Sequence, residues 1–168
     1  MQSRTKKIAL LALFAALALG IYGLECLIPN PFPIPGIKLG LANIITLVVL
    51  KKYGFRDAGL VLLVRILLSA LLFGQLISLI YSLVGGILCL IGEYFINKLL
   101  DNHATIVVAI IGALLHNVGQ VAVAILLTQV PGVVVYLPYL AAGAILTGIA
   151  TGLCAKLIFQ LLSKALNS

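Results

Sequence analysis

Apolar residues in this chain come in long, nearly unbroken runs, separated by short polar or proline-rich stretches. Runs of that kind read as helices surrounded by lipid rather than as the one-sided stripes of a soluble fold. The pattern predicts helices over 8–28, 39–50, 58–73, 76–96, 105–128 and 136–162. Between the first two, Pro29, Pro31, Pro33 and Pro35 predict an extended, stiff loop, because each proline fixes its own φ and biases its predecessor away from helix. The other predicted breaks are the polar turn 51–57, Gly74-Gln75, the polar loop 97–104 and Gln129-Val130-Pro131-Gly132. The second run is short for a full crossing. Part of the proline loop is therefore expected to enter the outer half of the membrane, packed against protein. The predicted fold is all-α: a polytopic membrane protein of six transmembrane helices in one domain over 1–168.

Composition sharpens this. Mean hydropathy is +1.27, with 63% hydrophobic and 9% charged residues. At about 20 residues per span, the 168 residues leave no room for a soluble catalytic domain. The net charge of +7 would point to nucleic acid in a soluble protein, but here the cations sit at the ends of apolar runs and read as topology signals. With a cytoplasmic N-terminus, Arg4, Lys6, Lys7, Lys51, Lys52, Arg56, Lys98, Lys156 and Lys164 fall on or near the inner side, and Lys38 alone on the outer. That asymmetry fits six spans with both termini cytoplasmic, in the cell membrane. The basic start followed by an apolar run looks like a signal peptide. The run continues to Ile28 without a clear small-x-small cleavage site, so it is read as a retained first helix.

Against this background, polar residues inside the runs stand out. Arg65 lies midway along the third run, where a guanidinium costs at least ~2.5–3.5 kcal/mol unless it faces protein or a water-filled cavity. On the fifth run His116 and Gln120 are four apart and Asn117 and Gln120 three apart, so they project from one face. The predicted topology puts these residues, with Glu25, Lys38 and Asn43, at the midplane or in the outer half, like a binding cavity opening outward. Arg65 and Lys38 favour an anionic or polar-headed ligand. Simpler readings stand beside this one. Lys38 is also an ordinary interfacial anchor, Glu25 a partner for Lys38 or Arg65, and Asn43 interhelical glue. Tyr136 and Tyr139 read as interface aromatics or as a lid. Glu93, with Tyr94, Asn97 and Lys98, reads as a cytoplasmic polar edge without chemistry. Cys26, Cys89 and Cys154 lack metal spacing and read as small buried apolar residues.

Two small-residue patterns concern packing. Ala144, Gly148 and Gly152 recur every four residues in the last helix and read as a close contact inside the bundle. Ala12 and Ala16, with Ala15 and Ala18 nearby, serve equally for internal packing or for docking a separate protein. There is no Walker A motif, no metal-spaced His or Cys set and no Ser/His/Asp arrangement. The only aspartates, Asp57 and Asp101, form no magnesium-binding diphosphate site. The chain by itself is therefore expected to be no enzyme and to hold no cofactor or metal.

The run Pro35-Gly36-Ile37-Lys38-Leu39-Gly40-Leu41-Ala42-Asn43-Ile44-Ile45-Thr46-Leu47, then Arg65 with Gly74, then Gly112-Ala113-Leu114-Leu115-His116-Asn117-Val118-Gly119-Gln120, resembles the bacterial Gx transporter family, also named heptaprenyl diphosphate synthase component I. The resemblance covers nearly the whole chain. That family is similar to the substrate-binding S components of energy-coupling factor (ECF) transporters. These six-helix proteins bind a small molecule in an outward cavity and dock on a coupling subunit that carries two ATPases, where ATP is consumed. The resemblance implies that Lys38, Asn43, Arg65, His116, Asn117 and Gln120 line the site and that Ala12 and Ala16 form a docking face. It also leaves open a non-catalytic membrane accessory of isoprenoid or quinone metabolism, or of a flavin- or quinone-linked electron-transfer system.

Overall fold

A computed structural model describes residues 4–28, 38–73, 76–100 and 104–167, with side chains described as far as residue 161. Every regular element among them is helical: α1 (Arg4–Leu27), α2 (Asn43–Tyr53), α3 (Phe55–Phe73), α4 (Leu76–Leu99), α5 (Thr105–Thr128) and α6 (Leu137–Asn167), the last entered through a 3-10 helix at Pro131–Tyr136. The proline run and the Gly74-Gln75 break predicted from the sequence lie outside the described residues.

The helices start and stop for local reasons. α2 ends at Gly54, whose φ of 93° favours glycine and whose N–H bonds to the Leu50 carbonyl at 3.0 Å. α5 ends where Gln129 turns left-handed (φ 56°) and its N–H closes on Ile125 O at 2.9 Å. Pro138 follows one residue into α6, where a missing N–H costs nothing. The predicted polar turn 51–57 is instead helical on both sides of Gly54. Lys51, Lys52 and Tyr53 finish α2, and Phe55, Arg56 and Asp57 begin α3. Their polar ends are anchored: Lys51 Nζ donates to Thr105 Oγ1 at 2.6 Å, and Lys7 pairs with Asp57 at 2.7 Å.

Those two contacts gather the starts of α1, α3 and α5 and the end of α2 at one end of the bundle. At the other end, Glu25 near the close of α1 meets residues 40 and 41 before α2, and Tyr22 meets Ser78 at the start of α4. α6 runs back along α5, Gly148 lying against Ile110 and Gly152 against Ile106. All six helices thus alternate in direction.

The distribution of polarity is inverted relative to a soluble domain. Leu71, Leu76, Leu99, Leu146 and Phe95 are exposed, while Glu25, Arg65, Glu93, His116 and Gln120 are buried. In water this arrangement would be unstable; lipid makes the outer leucines favourable and drives polar groups inward. Four segments are long and apolar enough to cross a membrane: Arg4–Leu27, Leu76–Leu99, Thr105–Thr128 and Pro131–Leu161. α2, with 11 residues, spans about 16 Å, roughly half of a hydrocarbon core. α3 carries Arg56, Asp57 and Arg65 within its 19 residues.

Small residues resolve two packing questions. A Cβ on Gly148 would lie 2.6 Å from the Ile110 Cα, and one on Gly152 2.7 Å from that of Ile106; with Ala144 buried, this face is the α5–α6 contact. On α1 the alanines divide. Ala15 and Ala18 pack inward, whereas Ala12 and Ala16 are exposed.

Candidate functional site

The site begins with a consequence of α2's length. A helix that starts partway along the bundle leaves backbone N–H groups without intrahelical partners, and away from water these must be satisfied by protein. Glu25 does this from α1. Its Oε1 accepts from Gly40 N–H at 2.7 Å and its Oε2 from Leu41 N–H at 3.0 Å. Both oxygens are thereby committed to backbone, and Glu25 holds the start of α2 in place. Gly40 has φ 79°, and a side chain there would meet the His116 ring at 3.0 Å. The chain passes that point only as glycine.

Asn43, the first residue of α2, joins three helices. Arg65 on α3 donates from Nη2 to Asn43 Oδ1 at 3.2 Å, and Asn43 Nδ2 lies 3.3 Å from His116 Nδ1 on α5. His116 Nε2 in turn lies 3.0 Å from the Gln120 amide nitrogen, and Gln120 Oε1 lies 3.3 Å from Lys38 N. The imidazole fits because α4 presents Gly85 there, where any Cβ would stand 2.9 Å from Nδ1. Gly119 on α5 faces the same glycine, its own Cβ position 2.9 Å from the Gly85 Cα.

Donor and acceptor roles along this chain of contacts follow from Arg65. A guanidinium only donates, so Asn43 must turn its oxygen to Arg65 and its NH2 to His116. At the other end the Gln120 oxygen accepts from Lys38 N–H, which leaves the Gln120 nitrogen facing His116 Nε2. The imidazole therefore lies between two amide nitrogens, and in its neutral form accepts from one of them.

Lys38 is the cation at the end of this group. Its ammonium donates to Tyr22 Oη at 2.7 Å and to Cys26 Sγ at 2.9 Å, and stands 3.9 Å from the Tyr22 ring centre. The Tyr22 hydroxyl continues to Ser78 Oγ at 3.1 Å. Sequence reasoning did not single out Tyr22, Gly85 or Ser78, named Gly40 only within the family motif, and read Cys26 as a buried apolar residue where it is half-buried and accepts from Lys38. The spacing of Tyr22, Glu25 and Cys26, three and four apart on one helix face, was the available signal.

The structure therefore brings Glu25, Lys38, Asn43, Arg65, His116 and Gln120 together. Asn117 lies beside them but is directed elsewhere: its Nδ2 donates to the Leu140 carbonyl at 2.8 Å, tying α5 to the start of α6. Glu93 corrects an expectation. It is not at a polar edge but 2% exposed, against Gly112 of α5, where a Cβ would meet its Cγ at 2.6 Å. Cys89 is buried beside it, whereas Cys154 is exposed. Two small cavities border the site. One, about 10 Å³, close to the size of a single water, is lined by Gly40, Asn43, Cys89, Glu93, Thr147 and Thr151. The other lies between Lys38, Asn117, Leu140 and Thr147.

An inverted, helical bundle whose interior holds a connected set of charged and amide side chains defines a class: a multi-pass membrane protein with a buried polar site. The chain belongs to the heptaprenyl diphosphate synthase component I family, whose model matches residues 14–158. No curated protein and no solved structure matches it.

Proposed function

We propose that this protein is the substrate-binding subunit of an ECF-type uptake transporter, taking up a small molecule with an anionic or otherwise acceptor-rich head. One observation carries the reading: the Nε of Arg65 is a buried donor without a hydrogen-bond partner. Leaving such a group unpaired costs about 1–3 kcal/mol, more when it is charged. A carboxylate or phosphate oxygen would satisfy it.

In this reading all six helices span the bacterial cell membrane, with both termini in the cytoplasm and the Lys38 end outward. Lys38 and Arg65 neutralise ligand charge and His116 and Gln120 direct hydrogen bonds, while Asn43 positions Arg65 and Asn117 ties α5 to α6. Glu25 acts through the backbone it holds. The exposed Ala12 and Ala16 face meets a coupling subunit, and ATP is consumed by two partner ATPases. The chain itself catalyses nothing and keeps no cofactor.

The family name favours a second reading, a non-catalytic membrane component of a prenyl diphosphate synthase or of quinone traffic. Asp57, one of the two aspartates, is held by Lys7, which fits no magnesium-diphosphate chemistry in this chain. The discriminating experiment is purification of the tagged protein from native membranes in mild detergent, with mass spectrometry of proteins and small molecules together. A coupling subunit with ATPases is expected. Recovery of a prenyl synthase or redox subunit with an isoprenoid would replace this reading with the second.

A further inference from the structure

Glu93 has no counterpart to the cations that answer Glu25. Glu25 is the attractive charge for Arg65, and the partner of Glu93 among the described residues is the thiol of Cys89. Its second oxygen, Oε2, is buried and unpartnered. Glu93 lines the water-sized cavity between α2, α4, α5 and α6.

The other polar side chains around that cavity are already committed, and in one direction. Thr151 Oγ1 donates its hydrogen to Gly148 O at 3.1 Å, and Thr147 Oγ1 donates to Gly143 O at 3.0 Å. Both hydroxyls, one helical turn apart on α6, can therefore offer the cavity only lone pairs. Asn43 is spent on Arg65 and His116. Carboxylate, hydroxyl and hydroxyl thus converge as acceptors, and no free side-chain donor among them faces the space. Hard oxygen ligands with one negative charge in a dry interior match a small monovalent metal ion.

We propose that Glu93, Thr147 and Thr151 form a cation site, sized for sodium, that neutralises the interior of the bundle and bridges α4 to α6 across the cavity. The inference does not depend on the transporter reading, since an unpaired carboxylate must be answered whatever the outer site binds. The charged and titratable groups nearby are Cys89 on the same helix and Arg65 of α3, which acts on Cys89 and is itself balanced by Glu25.

The test is thermal unfolding of the detergent-purified protein at fixed pH and ionic strength, with sodium replaced by N-methyl-glucamine, alongside equilibrium binding of radioactive sodium. A saturable, sodium-dependent rise in the midpoint is expected, abolished in Glu93→Gln. In Thr151→Val, which removes one ligand but keeps shape, binding should weaken about tenfold. If Glu93→Gln does not fold, Thr151→Val still decides. A wild-type midpoint indifferent to sodium would overturn the proposal. So would a protonated-carboxyl infrared band that persists in saturating sodium and vanishes in Glu93→Gln, because a bound proton would then hold the place of the ion.

Discussion

A guanidinium only donates, and from Arg65 that constraint runs through the site. It fixes the amide of Asn43, whose nitrogen then faces His116, while Lys38 N–H fixes the amide of Gln120 from the other side. Arg65→Ala should therefore weaken ligand binding by about 1.5–3 kcal/mol, roughly tenfold or more, the range for hydrogen bonds to a charged group. Isothermal titration or retained ligand by mass spectrometry checks this; unchanged affinity in a folded variant would remove Arg65 from the site. Arg65→Lys is expected to restore little, since an ammonium cannot reproduce the planar fork. The candidate residues themselves were legible because polar groups inside apolar runs are costly and few. Their roles were not. Nothing in the spacing of Glu25 shows that both its oxygens serve backbone, or that Asn117 turns to α6.

At the level of elements, α2 is the one whose position matters most. Its start depends on Glu25 accepting from Gly40 and Leu41. Glu25→Ala strands two part-buried amides, and at up to about 1–3 kcal/mol for each a fall in the unfolding midpoint is expected by thermal denaturation in detergent. A midpoint close to wild type would mean water or detergent replaces the carboxylate. The α5–α6 seam gives a second prediction. Gly148→Leu places a side chain where only 2.6 Å separates a Cβ from the Ile110 backbone, and overpacking of about 1–3 kcal/mol or more should follow. The same substitution at Gly143, with nothing nearby, should be tolerated. Helix bounds were well read where turn chemistry is local: 105–128 agrees with α5. They shifted where polar residues find partners in space. Lys51 and Asp57 look like a solvated turn but are helical because Thr105 and Lys7 hold them.

Across the whole molecule, the leucine-rich exterior and polar interior follow from one solvent, lipid. The exposed Ala12 and Ala16 face is part of that exterior, and its proposed role is testable without disturbing the interior. Ala12→Leu with Ala16→Leu should shift stability by no more than about 0.5 kcal/mol, as for other surface changes, and leave ligand affinity intact. Co-purification of the coupling subunit should be lost. Undiminished recovery of partners from the double variant would move the docking surface elsewhere.

Hydrophobicity and charge placement along the chain determined that this is an all-helical membrane protein, how its helices alternate, and which polar residues deserve attention. Those properties follow from transfer of each segment between water and lipid, a quantity that local composition sets. Which polar groups meet was decided by tertiary structure. Arg65, Asn43 and His116 belong to three different helices, and Gly40 and Gly85 leave the space their contact requires. Glu93 carries the contrast furthest. In the sequence it sits three residues from a predicted helix end among polar neighbours and looks solvated. The packing of Gly112 against it makes it a buried carboxylate, because burial depends on what other helices bring to that spot.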